Sequence, residues 1–399
     1  MAADIRYRAL FRTPEFTPLF VSSSASISAQ TVSGLALGTL VFRATNSPLL
    51  SAVSMFGPSL AQVVGATFLL SGADRLPPRT TLAGISLAFA LTTALLATPG
   101  LPVWAVFAIV LVQGLIASLG GGVRWGLLNE ILPEKGYLTG RSVFNMMTGL
   151  LQIAGFAAGG LLVALLSPRA TLLLAALLYA AAALLALRLT RRPPRATGRP
   201  SVAATRRANA ALWSSRPRRH VYLALWLPNG LVVGCESLYV SYEPRAAGTL
   251  FAGAALGMFT GDVLVGRLLP ARLRPHLGIP LLVLLAAPYL VFFLRPPLPV
   301  ATVLVALASV GFGASLVQQE RLVGLTPDDL TGHALGLHSA GMLTMQGVAA
   351  ALAGTVAQFT SPATAMTAMG VASLTVTVAL TATSRRTTPG GGLLPLRAT

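Results

Sequence analysis

The sequence predicts an all-α membrane protein in which twelve transmembrane helices form two pseudo-symmetric six-helix bundles. Three observations predict this fold. Of the 399 residues, 54% are hydrophobic and only 10% are charged, whereas soluble domains carry about 25% charged residues. Twelve apolar runs have the length of about 20 residues that a helix needs to cross a bilayer. Short motifs also recur at one fixed offset, which indicates an internal repeat.

The apolar runs are separated by short polar turns and by one long basic segment. The predicted spans are 17–42, 48–71, 80–98, 101–123, 139–166, 170–189, 220–242, 249–269, 276–294, 299–318, 331–359 and 363–383. The predicted domains are an N-terminal bundle (1–190), a basic cytoplasmic linker (191–218), a C-terminal bundle (219–386) and a disordered cytoplasmic tail (387–399). Within the linker, residues 203–213 are expected to form a short surface helix.

Basic residues predict the orientation, because Lys and Arg in short loops are preferentially retained in the cytoplasm. With the N-terminus inside, only four of the 29 basic residues fall outside: Arg43, Arg169, Arg245 and Arg295. Both termini are therefore expected in the cytoplasm, with the protein in a bacterial plasma (inner) membrane. The basic residues behind the net charge of +18 lie between apolar spans, where they set the membrane orientation and are attracted to anionic lipid. Nucleic-acid binding is therefore not expected.

The internal repeat has an offset of 192 residues. Its matched features are Arg75 with Arg267, 138–140 with 330–332, Gly149 with Gly341, and Gly155 with Gly347. Parallel repeats of six spans are typical of transporters whose halves rock about a site near the bilayer midplane. The repeat therefore predicts a small-molecule site between the two bundles.

The turn between the second and third spans contains Asp74, Arg75 and Arg79. Together with twelve spans in two sixes, the basic linker and the opening segment Phe-Arg-Thr-Pro-Glu-Phe at 11–16, this turn resembles the major facilitator superfamily. Within that family the chain is similar to the proton-driven efflux branch that includes enterobactin and macrolide exporters. The resemblance covers residues 9–385. It implies a secondary active transporter that exports a drug, siderophore or secondary metabolite in exchange for protons.

The family's motif for this turn is Gly-x-Leu-Ala-Asp-Arg-x-Gly-Arg-Lys/Arg. The chain keeps the acid and the outer bases of this motif but has Leu70 for the first Gly and Pro77-Pro78 for the inner Gly-Arg. The resemblance implies that Asp74 latches the inner gate with support from Arg75 and Arg79. Asp262 and Arg267 are expected to be a weaker counterpart in the second half. Ordinary cytoplasmic retention of positive charge is the alternative interpretation.

Charged residues at the ends of other spans could close the same gate by ion pairs between the halves. Arg124, Glu130 and Glu320 are expected at such helix ends. Any one exposed pair contributes at most about 1 kcal/mol. Together, such pairs would bias a two-state equilibrium.

Glu236 is the most deeply placed acid in the sequence, about sixteen residues into the seventh span. An ionisable side chain in hydrocarbon costs at least about 2.5 kcal/mol, so such a residue is a functional candidate by default. Glu236 is therefore the candidate for proton coupling or for binding a cationic substrate. A structural carboxylate hydrogen-bonded near the outer interface is the alternative interpretation.

Isolated polar and aromatic side chains within the spans are candidates for the lining of a substrate cavity. Ser26 and Gln30 share one face of the first span, and tight helix packing explains the serine equally well but not the glutamine. The further candidates are Gln113, Asn145, Gln152, Trp226, Asn229, Tyr239, Gln318 and His338. Each of these groups could instead serve packing or hydrogen bonding alone.

The fifth span contains Gly155, Gly159 and Gly160 at the spacing of the exporter-associated Gly-Pro-x-x-Gly-Gly pattern, with Phe156 in place of the proline. Small residues let helices approach closely in lipid. The glycines therefore indicate either an exporter or helix packing alone.

Other classes of protein lack support in the sequence. No Gly-x-x-x-x-Gly-Lys-Ser/Thr segment or catalytic set occurs, so neither direct use of ATP nor an enzyme is expected. The single cysteine and four scattered histidines offer no metal-binding spacing. The expected partners are a small molecule, protons and the bilayer, with no cofactor, and the chain is expected to be a monomer. An importer or metabolite permease, or a membrane sensor or scaffold that has lost transport, remain the alternatives.

Overall fold

The computed structural model describes residues 10–73, 76–132, 134–193, 202–270, 272–327 and 330–386. Within these ranges, twelve helices are long and apolar enough to cross a membrane, and no strand occurs. The predicted all-α class and the predicted number of spans are both confirmed.

The first bundle consists of six helices. They are α1 (Phe16–Thr45), α2 (Pro48–Ala73), α3 (Pro78–Leu96), α4 (Val103–Ile131), α5 (Glu134–Leu165) and α6 (Pro168–Ala186). Proline is the first residue of α2, α3 and α6, where its missing N–H would have no helical partner and its fixed φ suits the helix. Ser167 caps α6 by accepting a hydrogen bond from the Ala170 backbone N–H at 3.1 Å.

The second bundle is less regular. Its helices are α7 (Arg216–Glu236, then Tyr239–Tyr242), α8 (Ala247–Val263, then a π-helical turn Leu264–Leu268), α9 (Arg274–Ala286, then a 3₁₀ segment Ala287–Leu294), α10 (Leu298–Val310 and Ala314–Gly324, joined by the 3₁₀ turn Gly311–Gly313), α11 (Thr331–Phe359) and α12 (Pro362–Arg386). Pro288 stands at the start of the 3₁₀ segment, where the ring disfavours a continuous α-helix.

The helix bounds correct one sequence-based expectation. The fourth span was expected to end at residue 123, but α4 continues to Ile131. The expectation that Arg124 stands at a helix end is therefore wrong, because its charge closes the apolar run without ending the helix. The short helix expected at 203–213 is confirmed as a linker helix, Val202–Ser214.

The two bundles meet mainly along two helix pairs, α2 with α11 and α5 with α8, and the Tyr239–Tyr242 segment of α7 makes smaller contacts with α1 and α2. These pairs are equivalent under the pseudo-symmetry, because each joins the second helix of one bundle to the fifth helix of the other. We call the side that carries the linker helix the linker face. The opposite side, with the short turns 46–47, 166–167 and 243–246, is the far face.

The bundles are in direct backbone contact at the far face. A Cβ placed on Gly160 of α5 would lie 2.7 Å from the Cα of Gly248 in α8. A Cβ on Gly354 of α11 would lie 2.7 Å from the Cα of Leu49 in α2. Glycine is therefore required at both contacts, because any side chain would push the helices apart.

At the linker face, α5 and α8 are separated by a groove of about 410 Å³. Its walls include Met146 and Gly149 from α5 and Met258, Asp262 and Arg267 from α8. At the far face a groove of about 340 Å³ flanks the Gly160–Gly248 contact, so the two helices touch there through their backbones beside open space, whereas at the linker face the groove lies between them.

The outer surface of both bundles exposes large apolar side chains. Leu165, Leu177, Leu184, Phe293 and Val303 are each 65% exposed or more. A water-facing surface would disfavour such a distribution, whereas lipid tails accept it. The outward-facing leucines therefore agree with a protein embedded in a bilayer.

Candidate functional site

A central cavity of about 410 Å³ lies between α1, α2, α4, α5 and α8. This volume is within the range of 300–1,000 Å³ typical of small-molecule sites. The walls are mostly apolar, and Phe156 of α5 stacks on Phe251 of α8 with ring centroids 4.7 Å apart. This stack joins the two bundles, but the first bundle supplies the other described lining residues and Phe251 is the one described contribution of the second.

Five polar side chains interrupt the apolar wall: Gln30, Thr31, Arg124, Thr148 and Gln152. Thr31 uses its hydroxyl within α1, where it donates to the Ile27 carbonyl at 3.0 Å. The structure therefore brings the predicted candidates Gln30 and Gln152 together in one cavity.

Arg124 alone carries a charge among the described residues that line the cavity. Its guanidinium carbon lies 5.6 Å from the centre of the Trp125 ring, and the guanidinium of Arg141 lies 5.4 Å from the same ring. No acidic residue forms an ion pair with Arg124 in the part of the chain that the structure describes. Sequence reasoning missed this cavity residue because an arginine that follows an apolar run is normally a topology signal.

Gln30 also lines a smaller cavity of about 130 Å³ inside the first bundle. There, the Gln113 amide donates hydrogen bonds to the hydroxyls of Thr92 at 2.8 Å and Thr93 at 3.2 Å. Gln113 therefore joins α4 to α3.

Glu236 is buried inside the second bundle, with 8% of its surface exposed. Its Oε1 atom has no hydrogen-bond partner among the described residues. The carboxyl lies close enough to interact electrostatically with Tyr239 and Tyr289, whose hydroxyls hydrogen-bond to each other at 2.6 Å. Glu236 does not line the cavity that contains Arg124.

Asn229 lies two helical turns before Glu236 on the same face of α7. Its amide donates to the Leu225 carbonyl at 2.6 Å and to the Ser315 hydroxyl of α10 at 3.3 Å. Its Oδ1 atom is buried and unpartnered within the described part of the chain. Asn229 and Glu236 thus form a polar row inside the second bundle, separate from the central cavity.

Trp226 and His338 join α7 to α11. The Trp226 indole N–H donates to the His338 carbonyl at 3.1 Å, and the Trp226 ring stacks on Trp213 of the linker helix at 5.7 Å. Tyr222 completes this aromatic cluster. These contacts dock the linker helix on the second bundle.

The other candidates occupy varied places. Gln318 is buried in α10 beside Gly278 of α9. Ser26 is partly buried in α1, and Arg79 is partly buried at the start of α3. Asp74, Arg75 and the side chain of Asn145 lie outside the described residues.

The three glycines of α5 have different neighbours. Cβ atoms on Gly155 and Gly159 would contact Thr31 and Val32 of α1, whereas Gly160 contacts α8. The first two therefore serve packing within the first bundle, and Gly160 serves the contact between bundles.

The charged groups at the linker face pair locally. Glu15 and Glu130 both pair with Arg192, at 2.7 Å and 3.1 Å, and Glu320 pairs with Arg274 at 2.8 Å. None of these pairs among the described residues joins one bundle to the other. Asp262 and Arg267 are exposed in the groove between α5 and α8.

Two six-helix bundles with a small-molecule-sized cavity beside their contact, in a chain with twelve apolar spans, define a membrane transporter rather than an enzyme. The chain belongs to the Major Facilitator Superfamily, whose family model matches residues 19–319.

Solved structures of transporters share the fold. The nucleoside transporter NupG is 16% identical, with a TM-score of 0.71 over 92% of this chain and 98% of that one. A bacterial homologue of the human lysosomal transporter Spinster, inward-facing and unoccupied, is 13% identical, with a TM-score of 0.69 over 92% and 96%. A POT family transporter in complex with 5-aminolevulinic acid is 11% identical, with a TM-score of 0.71 over 92% and 95%. At these identities the similarity concerns the fold alone. No curated protein sequence matches the chain.

Proposed function

We propose that the protein is a secondary active transporter that works by alternating access and exports a small amphipathic or hydrophobic molecule in exchange for protons. The supporting observation is the central cavity, which the first bundle forms against Phe251 of the second. It shares Thr148 and Gln152 with the groove at the linker face. We infer from these shared residues that the substrate enters the cavity from the linker face, and we propose that the glycine contacts are the closed gate of the far face.

Alternating access requires that the two bundles rock about the cavity. The α5–α8 and α2–α11 pairs are the contacts that must open at the far face and close at the linker face. The proposed rocking units are residues 1–190 and 219–386, connected by the linker 191–218. We propose that a single copy of the chain is sufficient.

The proposed direction of transport follows from the orientation. We place the linker face and both termini in the cytoplasm, because the far-face turns hold few basic residues. The conformation with an open linker face is then the one that loads substrate from the cytoplasm. Asp74, with Arg75 and Arg79, is proposed to latch this face when it closes.

Glu236 is proposed to carry the coupled proton. A buried carboxyl with an unpartnered oxygen can gain or lose a proton without breaking an established ion pair, and rocking of α7 would change its access to water. The alternative is a structural carboxylate held near Tyr239 and Tyr289.

The test uses everted membrane vesicles that maintain a proton gradient, reported by acridine orange, and a panel of amphiphilic compounds. At least one compound should dissipate the proton gradient as the vesicles accumulate it. Glu236→Gln should lower the rate of this exchange at least tenfold without reducing membrane insertion. Glu243→Gln, in the far-face turn that follows the same span, is the matched control and should behave as wild type.

Accumulation that is insensitive to the gradient, or that occurs only in right-side-out vesicles, would contradict proton-driven export. Wild-type exchange by Glu236→Gln would show that the carboxyl is structural.

A further inference from the structure

The central cavity contains a positive charge that no described residue neutralises. Arg124 projects from α4 into the cavity wall, seven residues before the helix ends at Ile131. Its guanidinium contacts the Trp125 ring and forms no hydrogen bond or ion pair within the described chain. A cation removed from bulk water without an acceptor is unfavourable, so an acceptor group on a bound molecule would stabilise the guanidinium relative to its surroundings among the described residues.

The rest of the cavity indicates which partner fits. The amides of Gln30 and Gln152 have free N–H groups, since neither side chain hydrogen-bonds to another described residue. The Arg124 guanidinium only donates hydrogen bonds, whereas each amide can donate through its NH2 group or accept through its oxygen. The described lining contains no acid that would attract a cation, so its one charge favours a ligand group that accepts hydrogen bonds.

The opposite end of the cavity is apolar. The stacked rings of Phe156 and Phe251 lie one turn closer to the linker face than the glycine contact of Gly160 and Gly248. Together with Leu35 and Met55, these rings form a surface for a flat or branched apolar body. The cavity therefore pairs one cationic end with one hydrophobic end.

We propose that Arg124 binds an oxyanion of the transported molecule, so that the substrates are amphipathic anions with an apolar body and one carboxylate, phosphate or sulfonate. This inference rests on the proposed function and narrows its substrate class. The guanidinium offers a planar fork of donors that matches the two oxygens of such a group, and the stacked phenylalanines hold the apolar body.

The test measures binding of matched naphthalene probes to the purified full-length protein by calorimetry, without any gradient. The anionic probes are 2-naphthoate, 2-naphthyl phosphate and naphthalene-2-sulfonate; the neutral probe is 2-naphthamide, and the cationic probe is 2-naphthylmethylammonium. We expect at least one anion to bind about 10- to 100-fold more tightly than the amide, the factor expected for a charge-assisted hydrogen bond. The three anions distinguish the oxyanion that fits best.

Variants of Arg124 test the assignment. Arg124→Gln should reduce the preference for the anion over the amide to less than threefold, whereas Arg124→Lys should retain part of it because the charge remains without the planar fork. Arg141→Gln, the other arginine at the Trp125 ring, is exposed and lies outside the cavity lining. It should retain the full preference.

Three results would overturn the inference: equal binding of acid and amide by the wild type, tighter binding of the ammonium probe, or an anion preference that persists in Arg124→Gln. Failure of every anion to bind at millimolar concentration would also contradict it. If Arg124→Gln does not fold, Arg124→Lys still tests the inference. Affinities of Arg124→Lys for the three anions equal to those of the wild type would show that the planar guanidinium does not bind the oxyanion. These outcomes are independent of proton-driven export, which the vesicle assay tests separately.

Discussion

Replacing Gly248 with alanine should open the far face. In the structure, a Cβ on Gly248 would lie 2.5 Å from the Cα of Gly160 and 2.9 Å from the carbonyl oxygen of Phe156. Ordinary contacts of a Cβ are 3.4–4 Å, and the atoms it would meet belong to the backbone of α5. The two helices must therefore separate by about 1 Å, because a backbone cannot turn aside as a flexible side chain can.

The size of the effect follows from the cost of overpacking. Inserting a methyl group into a well-packed contact costs about 1–3 kcal/mol. The cost applies only to the conformation in which the far face is closed, so it shifts the population toward the conformation in which that face is open. A bias of this size changes the ratio of the two conformations by about 5- to 150-fold.

The assay is a distance measurement by double electron–electron resonance. Spin labels at Leu166→Cys and Arg245→Cys report on the far face, in a background where the single cysteine, the buried Cys235, is replaced by serine. Gly248→Ala should add a longer component to the far-face distances. Labels at Arg141→Cys and Leu268→Cys at the linker face should show a shorter component in the same variant.

Gly159→Ala is the matched control. A Cβ on Gly159 would lie 3.4 Å from the Cα of Val32 and 3.6 Å from a methyl carbon of Leu35, which are tolerable contacts inside the first bundle. This variant should leave both distance distributions unchanged. Unchanged far-face distances in a folded Gly248→Ala protein would refute the reasoning, since they would show that the glycine contact does not hold the face closed.

Further substitutions test other contacts. Gly354→Ala should also favour an open far face, because its Cβ would lie 2.7 Å from the Cα of Leu49; far-face distances equal to wild type would contradict this. Gln113→Leu should lower the free energy of unfolding in mixed micelles by about 1 kcal/mol, because two hydrogen bonds are lost. Gln152→Leu is the control: it loses no hydrogen bond to a described residue and should change the free energy of unfolding less. Trp213→Ala should speed tryptic cleavage of the linker by releasing its helix, whereas Trp104→Ala, at a side chain 74% exposed, should not.

The number of helices was predictable because the length of an apolar run and the positions of proline are local properties. The linker helix was predictable for the same reason. The orientation of side chains was not predictable, because α4 and α8 are apolar on most sides and periodicity does not distinguish a lipid-facing surface from a cavity. Contacts with neighbouring helices decide that question, and only the fold supplies them.

Arg124 and Gly160 illustrate what the sequence could not reveal. An arginine after an apolar run predicts the end of a span, yet α4 continues to Ile131 and the Arg124 side chain lines the cavity. The glycine pattern of α5 predicted close helix packing but not its partner. Gly160 contacts Gly248, which belongs to the other bundle, and no local pattern connects these two positions.

Locking the far face tests the central claim most directly. Ser47 and Gln358 belong to different bundles, and their side chains hydrogen-bond at 2.7 Å across the far face. Cysteines at these two positions can be joined by a short bifunctional thiol reagent, and each single-cysteine variant treated with the same reagent serves as a control. If the bundles must separate here in every cycle, the linked protein should lose proton-driven transport by more than tenfold while still binding substrate. Transport at the unlinked rate by fully linked protein would contradict alternating access about the central cavity.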